Sequence, residues 1–301
     1  MGITIGFVVL NHKNPRQLER LIRRLESTFD APQIVCHNDF GQCPLDISAL
    51  PKHVTFVAPH VETRWGHISL VHAFLRALGL LYGTPTAPDW FVFLSGSDYP
   101  IRPARDLLQK LSRADVDAFI HSRPVIRGST HEDWNNAGYE RYCCATVRVP
   151  SLTKRLHSTH RTFVMPRLRS PFGPTFRCFS GQQWFCGNAR AAECLLSKRR
   201  EHQRLLKAYD TAQIPDESYC QTVLCNEPGL KVHPETLHYT RWVLPSDAHP
   251  KTLAEEDFQN IMTSGKFFAR KVDMGAAPGV LDMIDRALDQ RAGAASPFQL
   301  A

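Results

Sequence analysis

The feature that most constrains this chain is a short apolar run, Trp90 to Leu94, held between Pro88 and a Ser95-Gly96-Ser97 turn. It is too short for a helix and has no polar residue to turn toward water. It therefore reads as a strand buried on both faces, the kind found inside a parallel sheet covered by helices. The turn that ends it presents one carboxylate, Asp98, before Tyr99-Pro100 leads the chain away. In open α/β sheets, ligands bind beyond the carboxyl ends of the strands. Asp98 is a site candidate on those grounds alone.

The flanking sequence supplies the rest of such a sheet. Ile3 to Leu10 is an apolar strand, followed by Asn14 as a helix cap, Pro15 at the first helical position and Gln17 three residues after the cap. That is the pattern of a capping box. Leu18, Leu21, Ile22 and Leu25 then repeat on one helix face, as they must to pack on a sheet. Further strands are expected over 33–39, 53–58 and 117–122, and helices opened by Ser69 and Pro103. Strand and helix in alternation imply an α/β fold, a mostly parallel sheet flanked by helices. Over 123–180 the period lapses into mixed aromatics, His and Arg, and a loop and β-ribbon insertion is expected there. Order resumes at 181 with a helix from Ala189 to about Tyr209, one opened by Pro215, and a last one over 280–291. The expected divisions are 1–122 and 181–291 as two halves of one domain, 123–180 as an insertion, and 292–301 as a tail.

A chain of 301 residues, 43% hydrophobic, can bury a core of that size. Its formal charge of +7 favours an anionic partner. The nine cysteines are odd in number and none stands in a CxxC pair. The first residues lack a charged segment leading into an apolar one, and no apolar stretch reaches the roughly 18 residues that span a bilayer. The expectation is a cytoplasmic protein with reduced thiols packed as small hydrophobes, peripheral contact with an anionic membrane being left open. No GxGxxG, Walker loop, HExxH or GxSxG occurs, which removes the chemistries those motifs carry. Asp115-Val116-Asp117 has the form of a metal-binding DxD, yet it precedes its strand and so falls at the wrong end of the sheet.

Four other places could carry chemistry. Asp39 ends the second strand, where an acid either receives a ribose or base N–H or forms an Asx turn into Gly41. Trp65-Gly66 could stack on a flat ring, or Trp65 could be core. Pro215-Asp216-Glu217 is an ordinary helix start, but Glu217 could also be held at a cleft edge as a general base. Phe267-Phe268-Ala269-Arg270-Lys271 places two cations after an aromatic anchor, suited to phosphate or simply solvated.

Taken in order, the segments H-x-D (37–39), W-G-x-x-S-L (65–70), D-W-F-x-x-L-S-x-S-D-Y-P-I (89–101), G-x-Q-W-F (181–185), P-D-E-x-x-x-Q-T (215–222), H-P-x-T-L (249–253) and F-F-A-R-K (267–271) resemble the core-2/I-branching β-1,6-N-acetylglucosaminyltransferase family, which includes the peptide O-xylosyltransferases. The resemblance implies a GT-A-like (Rossmann-like) fold and an inverting, metal-independent transfer of GlcNAc or xylose from a UDP-sugar to a hydroxyl. The 1–122 half would bind the nucleotide sugar, 123–180 would shape the acceptor site, and 181–291 would carry catalysis. Glu217 matches the family's base, and Arg270 and Lys271 the cations on the donor diphosphate. Asp39, Trp65, Gly66, Asp98 and Arg241 are the remaining donor-side positions, with Trp184 and Asp216 on the acceptor side. No cofactor and no metal are expected. Partners would be a UDP-sugar and a glycan or other hydroxyl-bearing acceptor, with no nucleic acid. The chain has the look of a compact, bacterial-type member.

A different class of function is a non-catalytic binder of nucleic acid or anionic glycan, using the basic 161–177 stretch with Phe163, Phe172 and Phe176. That reading leaves Asp98, Glu217 and Arg270-Lys271 without a task. As for Asp98, a lone carboxylate is a poor cage for a divalent ion. It reads as part of a sugar and acceptor pocket.

Overall fold

The computed structural model describes residues 2–127, 138–150, 160–167, 169–244 and 249–293. The apolar run is the strand β4 (Trp90–Ser95), buried from Trp90 to Leu94. It pairs in parallel with β1 (Ile5–Asn11), all of whose residues are buried. Side chains alternate across a pleated strand, and here the alternation feeds two cores. Phe7, Val9, Val92 and Leu94 enter one with the helices α1 (Pro15–Phe29) and α8 (Pro278–Gly293). Val8, Leu10, Phe91 and Phe93 enter the other with α2 (Ser69–Tyr82), α4 (Ala189–Leu196) and α6 (Tyr219–Cys225). A sheet covered on both faces explains why neither strand shows apolar–polar alternation.

The seven-stranded sheet runs β12 (Val232–His233), β6 (Ala118–Phe119), β11 (Cys186–Asn188), β4, β1, β2 (Gln33–Asn38), β3 (Thr55–Phe56). All pairings are parallel except those of β11, which is antiparallel to both neighbours. Gly187 lets β11 in, because a Cβ there would lie 2.8 Å from the Phe91 ring. The mostly parallel α/β sheet flanked by helices, and with it the GT-A-like expectation, is what the chain forms. A second sheet of three strands, β13 (His238–Thr240), β14 (Phe268–Arg270) and β5 (Asp98–Pro100), takes over where β4 ends.

Several boundaries differ from expectation. Regular pairing in the 117–122 strand is confined to Ala118–Phe119, although Ile120 N–H still donates to His233 O at 3.0 Å. The 189–209 helix breaks after Leu196, at extended Ser197, and restarts as α5 (Arg200–Tyr209); Ser197 Oγ bonds His202 Nδ1 at 2.9 Å across the break. Pro215–Glu217 is a single 3₁₀ turn preceding α6, not the first turn of one helix. In the insertion, β8 (Cys144–Pro150) and β9 (His160–Pro166) form an antiparallel ribbon. Residues 128–137 and 151–159 of the insertion lie outside the described residues, as does most of the 292–301 tail. All nine cysteines are free, seven of them buried. Among the described residues no helix is long and apolar enough to cross a membrane.

Candidate active site

The β4 turn is fixed from behind. Gly96 N–H donates to Leu10 O at 2.9 Å, and a Cβ on Gly96 would sit 2.1 Å from Asn11 Oδ1. Only glycine allows the turn to approach β1 this closely. Asp98 is fully buried; its Oδ2 accepts from Ser95 N–H and from Ser95 Oγ–H. Pairing of β5 with β14 sets Arg270 opposite Asp98, and Arg270 Nη1 reaches the two carboxylate oxygens at 3.1 and 3.2 Å. The guanidinium lies over the Trp184 ring, 4.4 Å from its centroid, a cation–π contact. Phe267 and Phe268 are buried and anchor the strand from below. A divalent cation at Asp98 would find both oxygens already taken, so this donor set does not fit a metal. Asp98 orients an arginine here.

Glu217 is held from both sides. Ser218 beside it is fully buried, its Oγ donating to Phe179 O at 2.5 Å and meeting Tyr209 OH at 2.6 Å. Glu217 O accepts from Gly181 N–H at 2.8 Å, and Gly181 must be glycine because a Cβ would fall 1.8 Å from His121 O. On the other side Ile214 adopts φ 51°, and its N–H donates to Gly66 O at 3.0 Å. A β-branched residue in the left-handed region costs about 1–3 kcal/mol, so this loop is held there by its surroundings. Burial first, then the neighbouring charge of Asp216, push Glu217 up to about 8, while Arg141 and Arg270 pull it back. Burial also raises Asp216 to about 7, and its Oδ1 has no hydrogen-bond partner. Tyr142, buried beside them, is pushed well above its ordinary range by burial and by Glu217. A partly accessible carboxyl that loses its proton near pH 8 and faces an arginine is suited to accept a hydroxyl proton.

The H-x-D segment staples a loop. His37 Nε2 accepts from Val61 N–H at 2.9 Å; Asp39 Oδ2 accepts from Thr63 N–H and Oγ–H at 2.7 and 2.8 Å. Asp39 Oδ1 accepts from Gly41 and Gln42 N–H, the Asx turn that was one of its two readings. Burial would raise Asp39, but the Thr63 and Gln42 bonds outweigh it and hold the acid near 2. The stapled segment leads to Trp65, 68% exposed, whose ring meets His249 edge-on at 5.5 Å. Gly66, at φ 67°, packs against Ile214 and so joins this loop to that of Glu217.

Lys271 lies near a cation the sequence reading missed, Lys13, just past β1. Burial lowers the pKa of Lys271, and the charges of Lys13 and Arg270 lower it further. His12 is lowered by burial, Lys13 and Lys271, and His249 by burial, Lys271 and Arg270. All three feel the positive charge of neighbouring lysines, which is the electrostatic mark of an anion site. Lys13 had one available signal: it follows a strand's carboxyl end. Arg141 also went unnoticed, sitting in the aperiodic insertion. Arg241 is engaged elsewhere, by fully buried Asp257, which Lys251 also contacts at 2.9 Å. Asp117 bonds Arg190, Asn188 and Lys231 N–H, so the DxD-like triplet is structural.

The family model described as Branch: Core-2/I-Branching enzyme matches residues 42–263. Beta-glucuronosyltransferase GlcAT14A of Arabidopsis thaliana is 26% identical over 228 residues, covering 74% of this chain and 48% of that protein. Its paralogue GlcAT14B is 28% identical, with 73% and 48% covered. Xylosyltransferase 1 of Rattus norvegicus is 24% identical over 307 residues, 94% of this chain and 35% of that one. The chain thus spans about half, or less, of the curated relatives it matches.

Proposed function

The chain belongs to the Core-2/I-branching enzyme family, and from that premise we propose that it is a glycosyltransferase that inverts at the anomeric carbon and needs no metal ion. The donor is a UDP-sugar, GlcNAc or xylose, with glucuronic acid added by likeness to the plant relatives. The observation that carries the reading is the meeting of Arg270, fixed by Asp98 and Trp184, with Glu217, whose charge it feels.

In this reading the diphosphate lies over Lys13, Arg270 and Lys271, with Trp65 and Gly66 beside it and the loop stapled by Asp39 forming the wall. Negative charge grows on the diphosphate as the glycosidic bond breaks, so cations already fixed there stabilise the transition state more than the ground state. Arg270 is the best oriented of them. Losing such a contact costs on the order of 3 kcal/mol, about a hundredfold in rate. An acceptor hydroxyl within reach of Glu217 attacks from the opposite face and gives up its proton to that carboxylate. Trp184 and Asp216 border the acceptor side.

The test is UDP release and thermal stabilisation with UDP-GlcNAc, UDP-xylose and UDP-glucuronic acid, with and without EDTA. One donor should stabilise and turn over regardless of EDTA. Glu217→Gln should abolish turnover while leaving UDP binding nearly intact. Wild-type turnover in that variant would remove Glu217 as the base, and a strict Mn²⁺ requirement would overturn the metal-free reading.

A further inference from the structure

The insertion turns an apolar surface toward water. In the β8–β9 ribbon Val147 pairs with Phe163 and Ala145 with Met165, while Thr146 pairs with Val164. Side chains alternate across a strand and cross-strand partners share a face, so the first four stand on one face and Thr146 on the other. Thr146 is tied to the body of the protein: its N–H donates to Thr211 O at 3.0 Å, and Gln213 Nε2 donates to its Oγ1 at 3.4 Å. The face opposite Thr146 is therefore the outer one. On it Val147, Phe163 and Met165 are 42, 49 and 52% exposed, and Val164 at the ribbon's other face is exposed as well. Single exposed apolar residues are ordinary, but a contiguous group of them marks a docking surface.

Its surroundings are cationic. From Cys144 to Arg177 the sequence has no Asp or Glu and seven Lys or Arg. Helix α5 adds a row: Arg200, Arg204 and Lys207, spaced four and three apart, share one helix face and are exposed. The root of the ribbon abuts that row. Arg204 Nη2 donates to Ser170 O at 3.4 Å, beside exposed Arg169, and Arg167 Nη1 donates to Thr211 Oγ1 at 3.1 Å just past the helix. The acids on α5 and its cap are Glu201 and Asp210, so the patch keeps a net positive charge. Nucleic acid and an anionic bilayer could both meet such a charge, and the side chains choose between them. Single-stranded nucleic acid needs free aromatic faces for its bases. Phe172 and Phe176 are engaged in packing: they stack on each other at 6.5 Å, and Phe172 meets Tyr209 at 6.3 Å. Among the exposed large apolar residues described on the ribbon, Phe163 alone is aromatic, and Val147, Val164 and Met165 are aliphatic. Aliphatic side chains set among cations suit hydrocarbon lying beneath anionic headgroups.

We infer that the outer face of the β8–β9 ribbon docks the protein on an anionic bilayer, with Val147, Phe163 and Met165 entering the acyl boundary and Arg169, Arg200, Arg204 and Lys207 against the lipid headgroups. Apolar burial and headgroup attraction add in such a contact, so neither is required to hold it alone. The inference stands apart from the proposed reaction and meets it in one segment. Thr211 and Gln213, which hold the ribbon, run on into the turn that carries Glu217.

The test is co-flotation of the whole chain with vesicles of phosphatidylcholine alone and of phosphatidylcholine with about one-third phosphatidylglycerol. Binding should be confined to the anionic vesicles and should weaken as salt is raised. Phe163→Ser combined with Met165→Ser should weaken it about tenfold or more. Arg200→Gln, Arg204→Gln and Lys207→Gln together should weaken it by a similar factor, and the wild-type unfolding midpoint checks that each variant is folded. Phe163→Trp should add fluorescence quenching by acyl-brominated lipid beyond that of the native tryptophans, which a purely electrostatic contact would not give. If the double serine variant does not fold, Phe163→Trp decides. The inference is overturned if the anionic vesicles do not bind, if neutral vesicles bind equally well, if the folded double variant binds as wild type, or if the added tryptophan is not quenched. A single-stranded DNA oligonucleotide that binds and displaces the vesicles would also overturn it, by making the patch a nucleic-acid surface. So would a dimer of the chain that ignores vesicles and is split by the double variant. None of these readouts uses UDP-sugar turnover, so loss of vesicle binding would leave the proposed function standing, and absence of turnover would leave the membrane contact standing.

Discussion

Glu217 sets the pH at which this protein can act as proposed. With its carboxyl pushed up to about 8 by burial and Asp216, most copies hold the proton at pH 7 and only the ionised fraction is a base. Activity should therefore rise with pH through about 8, read as the acidic limb of kcat/KM, which reports the free enzyme. A limb near pH 4.5 would mean that the group in control is solvated and is not Glu217. The same shift makes a statement about stability. The folded values of Asp216 and Glu217 lie above the ordinary ones, so their contribution is fully present below about pH 4 and is lost as pH rises through 7 to 8. The Tm should fall over that window, and Asp216→Asn should flatten the fall. Among the cations, magnitude separates the roles: Lys13 is exposed, so Lys13→Ala should weaken UDP binding only about threefold, whereas Arg270→Met should cost about a hundredfold in kcat. Glu217, Arg270 and Asp98 were all legible as residues. The ion pair uniting the last two, 172 positions apart, was not, because register between distant strands leaves no local trace. Arg241 shows the converse. The acidic turn at 255–257 reads locally as a helix start, and nothing in it announces that Asp257 holds that arginine.

At the scale of elements, Gln17 shows why a local motif can be right in form and incomplete in purpose. Asn14 Oδ1 accepts from Gln17 N–H at 3.3 Å, half of the expected capping box. The Gln17 side chain mostly turns away from the cap. Its Nε2 donates to Gly96 O at 2.7 Å and to Val272 O at 3.1 Å, and its Oε1 accepts from Met274 N–H at 2.8 Å. One amide thus ties α1 to the β4 turn and to the residues just after Arg270-Lys271. Gln17 is 2% exposed, so removing it strands two buried backbone carbonyls and one partly buried N–H, a buried group costing about 1–3 kcal/mol when unpaired. Gln17→Leu should lower stability to urea by about 2–4 kcal/mol and raise the UDP-sugar KM, because the turn and the cation strand lose their common brace. An unchanged KM in a destabilised protein would show that the brace holds the fold alone. The alternation of strand and helix was plain from apolar periodicity, since each element's pattern is local. The antiparallel entry of β11 and the 3₁₀ turn before α6 were not, since each depends on what packs against it.

Across the whole molecule, β4 divides a cationic side from an acidic one, with Arg270 between them. On one side burial and the charges of Lys13 and Lys271 lower His12 and His249, and burial and Lys13 lower Lys271, while on the other Asp216 and Glu217 are raised. Filling the cationic side with a diphosphate must be felt on both. The anion offsets the lysine and arginine charges that, after burial, hold His12 and His249 low, so their pKa values rise. It also offsets the pull of Arg270 on Glu217, so that carboxyl rises further above 8. Both changes take up protons, in separate windows: below about pH 7 for the imidazoles and around pH 8 to 9 for the carboxyl. UDP titrated calorimetrically in buffers of different ionisation enthalpy should therefore show net proton uptake in each window. Glu217→Gln should erase the upper window and spare the lower, and Lys13→Ala should shrink the lower more than the upper. Proton release in the upper window would mean that the diphosphate does not lie against Arg270, and the two sides of the sheet would then have to be assigned afresh.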